Sequence, residues 1–291
     1  MMWLVLSVVA SAAIFVIFRL LPRIGAFTLP AIVINYVIAA VCGLLMTGDN
    51  YNLQEKMTTP WFIGGISVGV LFISLFYLMA FTAQRAGVGV TSIATKMSLV
   101  LPVAWFMATD PNDAPSVVKI AAVVLAVVGV VLSAANKEQG KFNWSYALYP
   151  AIIFVGSGII DLVIGTFSNG SYFTDEGDRY LFTAAPFMTS TVIGSVAILA
   201  QRARGKQVMN LPTLIGGAVL GVVNFASILF LVRTFEAQLL DRSAIIPVNN
   251  LGVVLCSSLA SWWLFREHFS RRKLLGLLLS IVAIALLLYA G

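Results

Sequence analysis

Long apolar runs separated by short polar breaks organise this chain from one end to the other. Ten of the runs reach the ~20 residues that a helix needs to cross the hydrocarbon core of a bilayer. They cover roughly 2–22, 28–47, 60–84, 88–109, 116–135, 145–166, 180–201, 211–234, 238–265 and 272–290. The breaks are strongly polar, as in Gly48-Asp49-Asn50, Thr109-Asp110-Pro111-Asn112-Asp113 and Asn136-Lys137-Glu138-Gln139-Gly140-Lys141. The first run lacks a basic leader and an A-x-A-like cleavage site, and it outlasts a signal-peptide core of about 7–15 residues. It reads as the first span. The pattern predicts an all-α integral membrane protein with ten transmembrane helices.

One stretch of the pattern is written twice. Pro60-Trp61-Phe62-Ile63-Gly64-Gly65-Ile66-Ser67-Val68-Gly69-Val70 returns as Pro212-Thr213-Leu214-Ile215-Gly216-Gly217-Ala218-Val219-Leu220-Gly221-Val222, with six of eleven positions identical. Leu75, Phe76, Phe81, Ala83 and Gln84 then return as Leu229, Phe230, Phe235, Ala237 and Gln238, the offset slipping from 152 to 154. Spans 3–5 therefore match spans 8–10, and the chain divides into a first five-span repeat over 1–138 and a second over 139–291. An odd number of spans forces the second repeat to enter the membrane the other way up, which predicts two inverted repeats. The paired glycines form small-xxx-small surfaces suited to close helix packing.

Composition agrees. The chain is 60% hydrophobic and 10% charged, with a mean hydropathy of +0.97, whereas a soluble domain carries about 25% charged residues. The net charge of +6 lies scattered in short loops and forms no continuous basic face, so nucleic acid is not an expected partner. Its distribution is informative in another way. The loops joining spans 1–2, 3–4, 5–6, 7–8 and 9–10 hold twelve Lys and Arg residues, while the opposite side holds five, namely Lys56, Lys119, Arg179, Arg233 and Arg242, with nine acidic residues. The positive-inside rule then predicts a plasma (inner) membrane protein with both termini away from the cytoplasm. Cys42 and Cys256 lie in apolar runs as packing residues, and His268 is the single histidine. No metal-ligand spacing, P-loop or Ser/His/Asp set occurs, so neither a catalytic site nor a cofactor is expected.

The end of each repeat carries a further signal. Ala244-Ile245-Ile246-Pro247 enters an apolar segment ending at Trp263-Leu264-Phe265, followed by Glu267, Gly276 and a final apolar span. This order, with the span count and the duplication, resembles the drug/metabolite transporter superfamily, and specifically its EamA-type ten-span permeases, over nearly the whole chain. The first repeat departs from the pattern: Asp113 stands where Glu is expected and Ala122 near the position of the Gly. The resemblance implies movement of small metabolites, and a central cavity surrounded by spans 1, 3, 4, 6, 8 and 9.

Ionisable and amide side chains inside apolar spans mark the candidate site, because burying them in lipid is costly. Lys96 lies near the middle of span 4, with Thr95 and Ser92 on the same face by helical spacing. It suits an anionic substrate group, or alternatively a structural pairing with Asp161 or with helix carbonyls. Asp161 in span 6 is a coupling or charge candidate: a proton acceptor, a partner for a cationic group, or a paired structural residue. Asn249 and Asn250 follow Pro247 in span 9, where the proline removes a helix hydrogen bond, and Asn250 is the counterpart of Lys96 in the repeat register. Asn224 in span 8 and Tyr77 in span 3 complete the substrate-binding candidates; the three asparagines are also readable as interhelical hydrogen-bonding residues, and Tyr77 as a packing residue.

These features predict a secondary transporter that moves a small organic solute, amino acid-like or otherwise anionic or zwitterionic, by alternating access. Its expected partners are that solute, membrane lipid, and a proton or counter-solute. Two alternatives stay open: a cation or drug exporter using Asp161, and a membrane binding or assembly protein without transport.

Overall fold

A computed structural model of the chain describes residues 1–48, 53–86, 98–134, 148–168, 172–205, 209–265 and 271–290. Among these residues the secondary structure is helical throughout. There are eleven α-helices: α1 (Met2–Leu20), α2 (Thr28–Thr47), α3 (Leu53–Lys56), α4 (Pro60–Ala86), α5 (Val100–Thr109), α6 (Val117–Ala134), α7 (Leu148–Phe167), α8 (Glu176–Ala203), α9 (Leu211–Glu236), α10 (Arg242–Phe265) and α11 (Arg271–Ala290). Four of them contain stretches long and apolar enough to cross a membrane: Thr28–Thr47, Glu176–Ala203, Leu211–Glu236 and Arg242–Leu264.

Helix ends follow local chemistry more than hydropathy. The hydropathy pattern starts span 7 at 180, but α8 begins at Glu176 because the Asp175 carboxylate accepts the backbone N–H of Asp178 at 2.8 Å and caps the first turn. The pattern starts span 9 at 238, but α10 begins at Arg242, because Gln238 sits at φ +47°, in the left-handed region, and separates α9 from α10. The expected first span, 2–22, runs two residues past α1 into a 3-10 turn, Leu21–Ile24, which Gly25 ends at φ +73°. The short helix α3 has no counterpart among the predicted spans. Span 4 is described only through α5, its N-terminal residues 88–97 lying outside the described residues.

The chain packs as two compact units, each assembled from both sequence halves: Met1–Ile73 with Thr166–Glu236, and Ser74–Gly165 with Ala237–Gly291. In the first unit α2 packs against both α8 and α9, and α1 packs against α9. Small residues let these backbones approach, which matters where lipid supplies no hydrophobic drive between helices. A Cβ at Gly217 would meet Ala31 O and Ile34 Cβ, both at 2.7 Å, and one at Gly221 would meet Asn35 O and Ile38 Cβ, also at 2.7 Å. On α4 a Cβ at Gly65 would meet Phe182 O at 3.4 Å and Ala185 Cβ at 2.8 Å, and one at Gly69 would press on Pro186 O and on Thr189 Cβ. The two glycine pairs thus touch the same backbone and Cβ positions of α2 and α8. Within each contact the numbering rises together, so α9 runs parallel to α2, and α4 parallel to α8. Between α2 and α8 it runs oppositely, Gly43 lying against Ala184 and Gly194 against Val33, so those two helices are antiparallel.

In the second unit α6 lies along α11, and α10 packs against α5, α6 and α11. Gly129 abuts Gly276 O and Ser280, and Ala126, Leu251 and Ala283 form a fully buried centre. Gly156 and Gly158 of α7 accommodate Leu75 and Leu101.

Candidate functional site

The candidate residues divide between the two units. Asn224 belongs to the first, on α9. It donates from Nδ2 to Asn35 Oδ1 of α2 at 3.1 Å, and Asn35 donates to Ile32 O at 3.3 Å. Asn35 is buried and Asn224 half-buried, so this amide pair is an interhelical tie within an apolar interface. Asn35 escaped the sequence reading, although a lone amide in span 2 was visible as a polar interruption.

Asp161, Asn249 and Asn250 belong to the second unit. Asp161 is half-buried on α7, six residues before its end at Phe167. Pro247 lies inside α10, where its missing N–H leaves the carbonyl four residues back, at Ser243, without its helical donor. Two residues further on, Asn249 is 7% exposed, and its Oδ1 is a buried acceptor with no hydrogen-bond partner. Leaving such an oxygen unpaired costs about 1–3 kcal/mol. Asn250 beside it is half-buried. Tyr77 falls on α4, its side chain outside the described residues, and Ser92, Thr95 and Lys96 lie outside them altogether.

Charge gathers at helix ends in two networks that the sequence did not connect. In the second unit Asp113 is buried. Its Oδ2 accepts the Ser243 backbone N–H at 2.6 Å and its Oδ1 the Ser243 hydroxyl at 2.7 Å, so it caps α10 from 130 residues away. Lys119 Nζ bridges Asp113, at 2.8 Å, and Asp241. Arg242 donates to Gly165 O at 2.6 Å, lies 3.6 Å from Asp110, and stacks over Phe106 at 4.5 Å. The departure of Asp113 from the EamA-like pattern therefore has a local role: a carboxylate here both caps a helix and pairs with a buried ammonium.

In the first unit Arg179 donates from Nε to Glu236 at 2.6 Å and from Nη1 to Glu176 at 2.9 Å. Arg233 donates to the Tyr180 hydroxyl at 3.0 Å and stacks over Trp3 at 4.8 Å. Lys56, at the end of α3, pairs with Asp178 at 3.0 Å. Its hydrogen bond to Asp178 holds the Lys56 ammonium above the usual lysine range. Asp178 is itself fixed by the Thr174 N–H at 2.7 Å and hydroxyl at 2.6 Å. No group of three or more His, Cys, Asp or Glu able to hold a metal occurs among the described residues.

Comparison with known proteins sets the fold but not the activity. No protein-family model matches the chain. An uncharacterized protein of Haemophilus influenzae is 24% identical over 296 residues, which covers 98% of this chain and 97% of that protein. A protein solved by crystallography superposes with a TM-score of 0.68 at 11% identity, over 98% of this chain and 99% of that one. The fold is therefore like one already seen in a crystal, in a chain matched almost end to end.

Proposed function

We propose that the chain is a ten-span secondary transporter of a small anionic or zwitterionic organic solute, built as two inverted five-span repeats and working by alternating access. The observation that carries the proposal is the placement of the duplicated glycines. Gly65 and Gly69 rest on α8 where Gly217 and Gly221 rest on α2, at backbone positions 151 residues apart in each case. Since α4 is parallel to α8, α9 is parallel to α2, and α2 is antiparallel to α8, the two copies run in opposite directions. Inversion of this kind is characteristic of transporters, whose binding sites lie near the midplane between repeats.

The partnerless Asn249 oxygen beside Pro247 supports a solute-facing role in α10, as an acceptor for a substrate N–H or O–H. Lys96, its neighbours Ser92 and Thr95, and Asn250 supply the anion-binding part of the reading, with Asp161 as a proton or counter-charge carrier. The sequence holds no ATP-binding motif, which supports movement driven by a solute or ion gradient, or simple equilibration of the substrate. All five basic residues on the predicted outer side have an acidic group within ion-pair distance.

The test is counterflow by purified protein in liposomes, against amino acids, carboxylates, sugar phosphates and nucleosides. Flux of an anion or zwitterion that drops on Lys96→Ala and Asn249→Leu supports the proposal. Absence of flux across the panel, or flux indifferent to both substitutions, overturns it. A reporter active only in the cytoplasm, fused after Gly291, is expected to be silent, and a bright fusion overturns the orientation.

A further inference from the structure

The end of the first unit where α8 begins and α9 ends holds two arginines and two glutamates of unequal standing. Glu236 is 15% exposed and takes the Arg179 Nε at 2.6 Å. Glu176 is 68% exposed, yet its carboxylate accepts from Arg179 Nη1 at 2.9 Å and from the Tyr180 hydroxyl at 3.4 Å, and Arg233 Nη2 lies within ion-pair reach at 3.9 Å. Arg233 is held chiefly by something other than a carboxylate. Its guanidinium stacks over Trp3 at 4.8 Å, bonds the Tyr180 oxygen at 3.0 Å, and keeps a buried Nε without a hydrogen-bond partner. Ring stacking fixes the plane of a guanidinium while leaving its N–H edge for an in-plane acceptor. An exposed carboxylate at the start of a helix is held there weakly, since exposed ion pairs contribute about 0–1 kcal/mol.

We propose that Arg179, Tyr180 and Arg233 form a receiving site for the carboxylate of a small organic acid, and that Glu176 is its built-in occupant, which the solute carboxylate displaces. Two donors, a guanidinium and a phenol, bond this oxygen pair, and a second guanidinium lies within ion-pair reach of it. Glu236 neutralises one cation permanently, so departure of Glu176 leaves a single positive charge, matched to one carboxylate. The tethered Glu176 competes at high effective concentration, so native affinity for a free carboxylate is low and rises when Glu176 is removed. The proposal concerns equilibrium binding at this end of the unit. It stands or falls separately from transport.

The experiment titrates the full chain in detergent micelles with succinate, against chloride at constant ionic strength. Trp3 emission is isolated as the difference from Trp3→Phe. Glu176→Ala is expected to shift half-saturation to succinate about fivefold lower than in the native protein, a coupling of about 1 kcal/mol, and Glu176→Gln to shift it in the same direction. Adding Arg233→Gln to Glu176→Ala is expected to abolish the response. Should that double variant fail to fold, Tyr180→Phe in the Glu176→Ala protein is expected to raise half-saturation by removing one donor. Equal half-saturation with and without Glu176, a response that survives loss of Arg233, or no succinate response in Glu176→Ala protein with native melting behaviour overturns the proposal. A purely structural Glu176 predicts a lower melting temperature on substitution and no gain in succinate binding.

Discussion

Replacing Gly221 by Ala tests the packing of the duplicated segment most directly. The added Cβ would lie 2.7 Å from Asn35 O, 2.7 Å from Ile38 Cβ and 3.0 Å from Ile38 Cγ2. Two of these neighbours are a backbone carbonyl and a Cβ, which no rotamer change can move, so α2 and α9 must separate. Overpacking of this kind costs about 1–3 kcal/mol. Alanine returns roughly 0.5–1 kcal/mol through its better helix propensity, so the net loss lies at about 0–2.5 kcal/mol, centred a little above 1 kcal/mol. Gly69→Ala meets Pro186 O and Thr189 Cβ on α8 in the same way, and should lose at least as much. Gly216→Ala is the internal control. It has the same propensity gain, but it presses chiefly on Leu21 Cδ2, the end of a flexible side chain, and should lose distinctly less. Reversible unfolding in mixed micelles with SDS, followed by far-ultraviolet circular dichroism, ranks the three. If Gly221→Ala and Gly69→Ala unfold like native protein, or if Gly216→Ala is the most damaging, the close-contact account of the repeat is wrong.

Three further outcomes are expected. Asp113→Asn keeps an acceptor for Ser243 but removes a carboxylate from Lys119, whose side chain is 5% exposed. Lys119 keeps its second partner, Asp241, so the loss falls below the ~3–5 kcal/mol of a fully broken buried pair; the double variant Asp113→Asn with Asp241→Asn should reach that range, and a double variant as stable as native protein would refute the buried-pair assignment. A double-mutant cycle over Asn35→Leu and Asn224→Leu should give a coupling near 0.6 kcal/mol, the usual size for an interhelical hydrogen bond in a membrane protein, and zero coupling would refute that tie. Folding raises the Lys56 pKa through Asp178, so the stabilisation is fully present below the unfolded lysine value and is lost as pH rises through the folded one. In melting scans native protein should therefore lose stability more steeply than Lys56→Met across that alkaline window, and parallel curves would count against the pairing.

Hydropathy made most helices legible because a run of apolar residues long enough to cross a bilayer has to satisfy its backbone internally. Span 2 and helix α2 coincide at 28–47. Boundaries moved where a side chain or a backbone conformation intervened, at the Asp175 cap and at the left-handed Gln238, and neither changes hydropathy. Of the candidate site, Asn249 could be singled out as polar and next to a proline, but its lack of a hydrogen-bond partner emerges only when the neighbours are known. Asn224 looked similar in sequence and proved to be engaged by Asn35, 189 residues away. Asp113 drew notice only as a departure from a family pattern. Its work on Ser243 depends on a contact across 130 residues, which no local spacing encodes.

The sequence by itself determined that this is an apolar, helical chain with a duplicated glycine segment and an uneven distribution of basic loops. Those properties follow from composition and from order along the chain, and each is set within a window of one or two helices. The tertiary structure alone decided which helix each glycine meets and which acid neutralises which base. The physical reason is that a glycine only permits close approach. The partner is chosen by the carbonyls and Cβ atoms of a helix far away in sequence, and a charge in an apolar setting is defined by the partner that folding brings to it.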